Sequence, residues 1–391
     1  MDIAKIREDF PTTDNLVYLA TCGAAPPLKP MLEAIKEAWD EKTETGEILC
    51  GTVGMLRKMG EGRECAARII GADADEIALV RGNNDAMNII ASMLDWRRGD
   101  NVILNDMEYA GGVLPWMRNR ESHDIEVKCV KSDQGAVSLH AIENAIDEHT
   151  RVISICHVHT ANGYRNDLEE LGRIASDHGV HLVVNASQSL GAMTVDVEKM
   201  NIDFLTCSAY KWAIAPPGTG LMYIRREHVE KYEPPFVGIS QEVRSQTSPN
   251  FNYHEYDPRE LSETARKFEY GGHQMATAII GLVESLKYLD SIGVGEIAKR
   301  DAMLLEHLIG RLTELDVELP AWIDDKSHRS AFLGLSSDVP VKELYDALRE
   351  ENIVTITRRG YLGKDLLRVA PHFFNTKEEI DIFAEALSKL L

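Results

Sequence analysis

The chain has 391 residues, 44% of them hydrophobic, and carries 63 acidic against 42 basic side chains for a formal charge of −21. That length calls for two domains, or one large and one small, each with its own core. The acidic balance argues against nucleic acid or an anionic membrane surface as partner, and no apolar run is long enough to span a bilayer. The N-terminus "MDIAKIREDF" is charged and does not read as a signal peptide, so a cytoplasmic protein is expected. Cys22, Cys50, Cys65, Cys129, Cys156 and Cys207 lack paired spacing, so neither a disulfide framework nor a structural zinc site is suggested.

In chain order, strand-like and helix-like segments alternate. "EIALVRG" leads into the helical "NDAMNIIASMLDW", "DNVILND" precedes a glycine-containing loop, and "TRVISICHV" precedes "DLEELGRIASDHG". The strands "VHLVVNA", "DFLTCSAY" and "GLMYIRR" follow. Short β-branched runs separated by helices predict an α/β fold with a mainly parallel sheet covered on both faces. Ligands in such folds bind beyond the carboxyl ends of the strands. Residues 232–265, rich in Pro, Ser, Asn, Tyr and His, break the rhythm and read as a long functional loop. A helical stretch then leads to a compact tail with its own strands ("RSAFLGLSS", "NIVTITRRG", "DLLRVAPHFF") and a closing helix. The expected division is a large domain over 14–284, with the loop, and a small α+β domain over 285–391 joined by residues 1–13.

Two stretches carry chemistry. "HLVVNASQSLGA" starts as a buried strand and then delivers Asn185, Ser187 and Gln188 together. In "CSAYKWAIAPPGTG", Lys211 stands at a strand end beside Tyr210 and Trp212. An isolated lysine is ordinarily a snorkelling surface residue. At this position partial desolvation is expected instead, and burial favours the neutral amine that a Schiff base requires.

The ordered set "VRGNNDAMN", "GDNVILNDMEYAGGVLPW", "SICHVHTANGYRNDLEELG", "HLVVNASQSLGA", "DFLTCSAYKW", "RKFEYGG" and "LLRVAPHFFNTKEEID" resembles the class V aminotransferases, over nearly the whole chain. This group of pyridoxal-phosphate (PLP) enzymes includes cysteine desulfurases and isopenicillin N epimerase. The resemblance implies PLP as cofactor and fold type I, the aspartate aminotransferase-like PLP-dependent transferase fold. It also implies a homodimer with active sites shared at the interface and a small-molecule amino acid as substrate.

By the same resemblance Lys211 is the Schiff-base lysine and Gln188 donates to the cofactor's phenolic oxygen. Asn185 stands where the family normally carries an Asp that keeps the pyridine nitrogen protonated, and a neutral amide cannot supply that charge. Asn83, Asn84 and Asp85 lie in the phosphate-binding turn, with Asn84 where a Thr is usual, and Ser208 and Tyr210 are further hydroxyl donors. Gly272 replaces a Thr that reaches the phosphate from the partner subunit. Tyr109 is expected to stack on the ring where desulfurases use a His. Thr160 and His159 fall near the phenolic side, with His159 as a substrate or acid/base contact. His157 and His159 share a strand face, but no third ligand appears, so no metal is expected. Arg368 matches the arginine that holds the substrate's α-carboxylate, a task its planar fork suits. Arg358 and Arg359 lie just upstream and are candidates for a second anionic group.

Persulfide-forming desulfurases carry a nucleophilic cysteine in the C-terminal domain, whereas this chain has none after Cys207. On that ground persulfide-forming cysteine desulfurase chemistry is set aside. The expectation is a PLP-dependent enzyme acting on an α-amino acid, aminotransferase or epimerase-like. A β-eliminating C–S lyase is the alternative, and a non-catalytic PLP-fold binding protein is the alternative of another class. A nucleotide-binding loop of the GxxxxGK[ST] type is absent.

Overall fold

A seven-stranded sheet organises the larger part of the computed structural model. The structure describes residues 1–48, 51–238, 261–270, 276–361 and 363–391. Across the sheet the strands run Ile77–Val80, Gly220–Ile224, Phe204–Ser208, His181–Asn185, Thr150–Cys156, Asn101–Asn105 and Glu126–Val130. Only Gly220–Ile224 is antiparallel to its neighbours. The parallel strands therefore release their chains at one edge, and the loops after Val80, Asn105, Cys156, Asn185 and Ser208 converge there.

Alternate side chains of each strand enter different cores, which explains why these strands read as continuous apolar runs. Leu182 and Val184 pack with Ile153, Leu205 and, from the helix Ala276–Ile292, Leu282 and Leu286. Val183 faces the other way, toward Met87, Ile90, Val102, Trp116 and Phe204. The central strands are buried on both faces, while the edge strand Glu126–Val130 is partly exposed.

A third core, including Leu304, Leu308, Leu344, Leu367 and Phe383, lies beneath the antiparallel sheet Ile356–Tyr361, Lys364–Val369 and Leu333–Leu335. The helix Ala276–Ile292 runs unbroken past residues 284–285, where the sequence reading divided the chain, and packs against Lys29–Thr45 and Thr52–Ile70. The break comes at Gly293, whose φ of +86° ends that helix before Val294–Leu312 begins, and we place the change of unit there. The N-terminal segment bridges the two parts. Phe10 stacks on Phe374 at 4.4 Å, Arg7 pairs with Glu379 at 3.0 Å, and Val17–Tyr18 adds a parallel strand to Ile353–Val354. Among the described residues, no helix is long and apolar enough to cross a membrane.

Candidate active site

The five converging loops line a cavity of about 590 Å³. Lys211 follows the strand Phe204–Ser208 and projects into it, with Nζ 5.8 Å from the Tyr109 ring centre and 5.9 Å from that of Tyr210. Desolvation, helped by the charge of Arg368, brings its amine down to about 8. Among the described residues no carboxylate pairs with it. An amine so placed is available as a nucleophile near neutral pH.

One wall is the N-terminus of the helix Asn83–Met93. Gly82 caps it at φ +138°, a conformation L side chains rarely adopt, and a Cβ there would meet Ser208 Oγ at 3.2 Å. The Asn83 side chain is buried and locked by Thr206 Oγ1, which donates to its Oδ1 at 2.6 Å. Its backbone N–H donates to Ser208 Oγ at 3.0 Å, leaving the serine's own proton for another acceptor. The first-turn amides of Asn84 and Asp85 lack intrahelical acceptors. The Asp85 carboxylate, awkward beside a phosphate, is neutralised by Arg81, whose Nη2 lies 2.8 Å from Oδ1, and it also accepts from the Tyr270 hydroxyl at 3.0 Å. Only the backbone of Asp85 then faces an anion, as a cup for a phosphate requires.

The strand His181–Asn185 delivers Asn185 to the floor of the cavity, opposite Cys156 in register. Asn185 Oδ1 accepts from the Ser187 N–H at 3.1 Å, and Nδ2 lies 3.5 Å from Glu108 Oε1. Gln188 also lines the cavity, but its amide is fully engaged. Nε2 donates to Cys22 O at 2.9 Å and to Thr160 Oγ1 at 2.8 Å, while Oε1 accepts from Trp212 Nε1 at 2.9 Å. Both Gln188 hydrogens are committed, and the Thr160 hydroxyl, which accepts from Gln188, keeps its own proton for another acceptor. Tyr109 stands at the mouth, 44% exposed, as a ring awaiting a stacking partner would be.

Arg368 is 7% exposed and lies behind Thr160, with Nη1 donating to Thr160 O at 2.8 Å. Its Nε is buried without a hydrogen-bond partner, and among the described residues no carboxylate pairs with the guanidinium. Arg368 does not itself line the cavity, but its charge is felt by Lys211, and a buried guanidinium without a carboxylate partner suits an incoming carboxylate.

His159 requires correction. It is wholly buried, with Nδ1 3.3 Å from Gly135 O and Nε2 3.0 Å from Asn166 Nδ2, and desolvation brings it down to about 4. Both ring nitrogens are used in fixing its loop and it does not reach the cavity, so its role is structural. His157, also buried, is held at about 3 by desolvation. Arg358 and Arg359 lie on the strand Ile356–Tyr361 and do not line the cavity. Gly272 and residues 239–260 of the predicted loop lie outside the described residues.

Sequence reasoning missed Glu108 and Arg81. An acidic residue three positions after a buried strand and immediately before Tyr109 was the available signal for the first. The spacing of four between Arg81 and Asp85 was the signal for the second. Taken together, an unpaired Lys211, a neutralised helix-start cup and an orphaned Arg368 donor fit PLP bearing an amino acid.

Comparison with known proteins agrees with this geometry. Residues 17–383 match the family described as aminotransferase class-V. A probable cysteine desulfurase of Methanothermobacter thermautotrophicus is 30% identical over 98% of this chain and 97% of its own. The apo structure of a cysteine desulfurase from Thermococcus onnurineus NA1 superposes with a TM-score of 0.87 at 25% identity, covering 99% of this chain and 97% of that one. The cystine C–S lyase C-DES, solved with its product cysteine persulfide, shares the fold with a TM-score of 0.87 at 20% identity, covering 97% and 99%. A C-DES variant solved with glycine covalently linked to its PLP cofactor superposes equally well, with a TM-score of 0.87. These relatives overturn the exclusion of persulfide-forming cysteine desulfurases drawn from the missing C-terminal cysteine. That exclusion considered a single destination for the sulfur, whereas breaking the C–S bond depends on the groups around the α-carbon.

Proposed function

The chain belongs to the class V aminotransferase family and uses PLP, and from that premise we propose that it is a carbon–sulfur lyase acting on cysteine or a close derivative such as cystine. The observation that carries this reading is an unpartnered Lys211 in a cavity also lined by Thr160, whose carbonyl holds the buried Arg368 while the arginine's Nε stays unpaired, within a chain whose relatives are named cysteine desulfurase. It displaces the aminotransferase or epimerase-like expectation as the leading reaction type.

PLP, when bound, supplies a carbonyl that condenses with amines and a ring that draws electrons from the substrate's α-carbon. The amides of Asn84 and Asp85, with the hydroxyls of Ser208 and Tyr210, would hold its phosphate, and Tyr109 would cover its face. Arg368 fixes the α-carboxylate, which orients the α-hydrogen toward the lysine side of the cavity. With its amine near 8, Lys211 is neutral often enough at pH 7 to take that proton and hand one back. The catalytic arrangement of these two residues argues against the non-catalytic binding reading. The homodimer expected from the resemblance belongs to this proposal, and the exposed Leu32 and Trp39, seven residues apart on one helix face, favour it.

The test is direct. PLP-loaded protein given L-cysteine or L-cystine should release sulfide or persulfide sulfur in proportion to a three-carbon product, and Lys211→Ala should not. Amino-group transfer to a keto acid with no sulfur released would return the aminotransferase reading to first place.

A further inference from the structure

The usual Asp at the position of Asn185 raises the question of what this chain offers the pyridine nitrogen instead. The hydrogen bonds around Asn185 answer it. The Ser187 N–H can only donate, so the atom 3.1 Å from it must be the amide oxygen. That leaves Nδ2 on the other side, toward Glu108 and the cavity.

Glu108 secures this orientation. Its Oε2 accepts from the Cys156 N–H at 2.6 Å, and its Oε1 accepts from the Tyr109 N–H at 3.1 Å and faces Asn185 Nδ2 at 3.5 Å. The Cys156 thiol adds another donor, kept protonated because burial and the neighbouring carboxylate both raise it. Burial, the largest influence, pushes the Glu108 pKa upward, while the surrounding donors oppose it, and both oxygens are placed as acceptors of backbone N–H groups. Cys156 and Asn185 are register partners on adjacent parallel strands, so the sheet itself sets the spacing. A flipped Asn185 amide would place its oxygen against the Glu108 carboxylate and its NH2 against the Ser187 N–H, losing both contacts.

We propose that Asn185 presents a hydrogen-bond donor to the cofactor's ring nitrogen, so that the nitrogen is held unprotonated at neutral pH, and that Glu108 is the positioning residue that fixes this polarity. The inference rests on PLP seating in this cavity with its ring nitrogen at Asn185. It deepens the lyase reading. An unprotonated ring withdraws less charge from the α-carbon, and this weaker pull favours loss of the β-sulfur. Lys211 takes the α-proton, the electron pair left behind forms a double bond between the α- and β-carbons, and the sulfur leaves as a thiolate with the electrons of the broken C–S bond. Transamination, which would lean more heavily on a protonated ring, is correspondingly disfavoured.

The experiment is a 15N NMR measurement on protein loaded with PLP labelled at the ring nitrogen, across pH 6–9. The native protein should give the shift of an unprotonated pyridine throughout, and Asn185→Asp should move it to the protonated position. Glu108→Gln, which offers an amide in place of an acceptor-only group, should perturb the native 15N shift and speed PLP release about 3- to 10-fold. A purely structural role for Glu108 would leave that shift unmoved. A protonated nitrogen in the native protein, or an unmoved shift in Glu108→Gln, overturns the inference while leaving the PLP site intact. If the label never attaches to the protein, the seating and the inference fall together.

Discussion

Trp212 Nε1 donates to Gln188 Oε1 at 2.9 Å, and because an indole N–H only donates, this bond dictates that the Gln188 amide nitrogen faces Cys22 O and Thr160 Oγ1. One glutamine thereby ties the loop after Lys211 to the N-terminal segment and to the loop that carries Thr160.

Replacing that hub should be costly. Gln188→Ala leaves the buried indole N–H and the Cys22 carbonyl without partners, and each orphaned group costs about 1–3 kcal/mol. Urea denaturation of the unliganded protein should show at least one such loss. An unchanged midpoint would mean that water replaces the glutamine without penalty.

The chemistry of Lys211 should follow pH. Burial brings its amine to about 8 against an ordinary 10.5. The rate of PLP capture should rise with pH, level off above about 8, and continue rising past 10 only if the lysine is an ordinary one. Stability carries the matching sign. The folded-state pKa is depressed, so the charged amine burdens the fold fully below about pH 8, and the burden is relieved as pH climbs from there toward 10.5. Lys211→Met should remove both dependences.

Arg368 should be read out by the substrate's carboxylate. Arg368→Lys keeps the charge but loses the planar fork, so KM for L-cysteine should rise about 10- to 100-fold, equivalent to about 1.5–3 kcal/mol of charge-assisted hydrogen bonding. Cysteamine, which lacks the carboxylate, should be processed equally poorly by both proteins. An equal loss on cysteamine would assign Arg368 to the architecture of the cavity.

The pairing of Arg81 with Asp85 should govern affinity for the phosphate. Arg81→Ala exposes the Asp85 charge to the cup, and PLP binding measured by absorbance titration should weaken about 3- to 10-fold. Asp85→Asn in that background should restore it. A double variant no better than Arg81→Ala would indicate that Arg81 itself touches the phosphate.

The parallel sheet was legible in the sequence because its strands are apolar on both faces, and the two cores divide Leu182 and Val184 from Val183 as that pattern demands. The strand-end positions of Asn185, Ser208 and Lys211 followed from the same pattern. The boundary at 285 did not, because the helix Ala276–Ile292 is apolar enough to belong to either unit and only its packing assigns it. His159 was misread because a strand-end histidine looks alike in sequence whether its ring turns toward the cavity or toward Asn166. Glu108 was missed because its importance lies in three groups brought to it from Tyr109, Cys156 and Asn185, two of which are remote in the chain. Tertiary hydrogen bonding of this kind leaves no periodic trace.

The most direct measurement is borohydride reduction of the PLP-loaded protein followed by peptide mapping, with the visible spectrum recorded before and after. The expected result is loss of the visible band and a single pyridoxyl group on the peptide containing Lys211. An adduct on another lysine, or no visible band at saturating PLP, would contradict the assignment of this cavity as the active site.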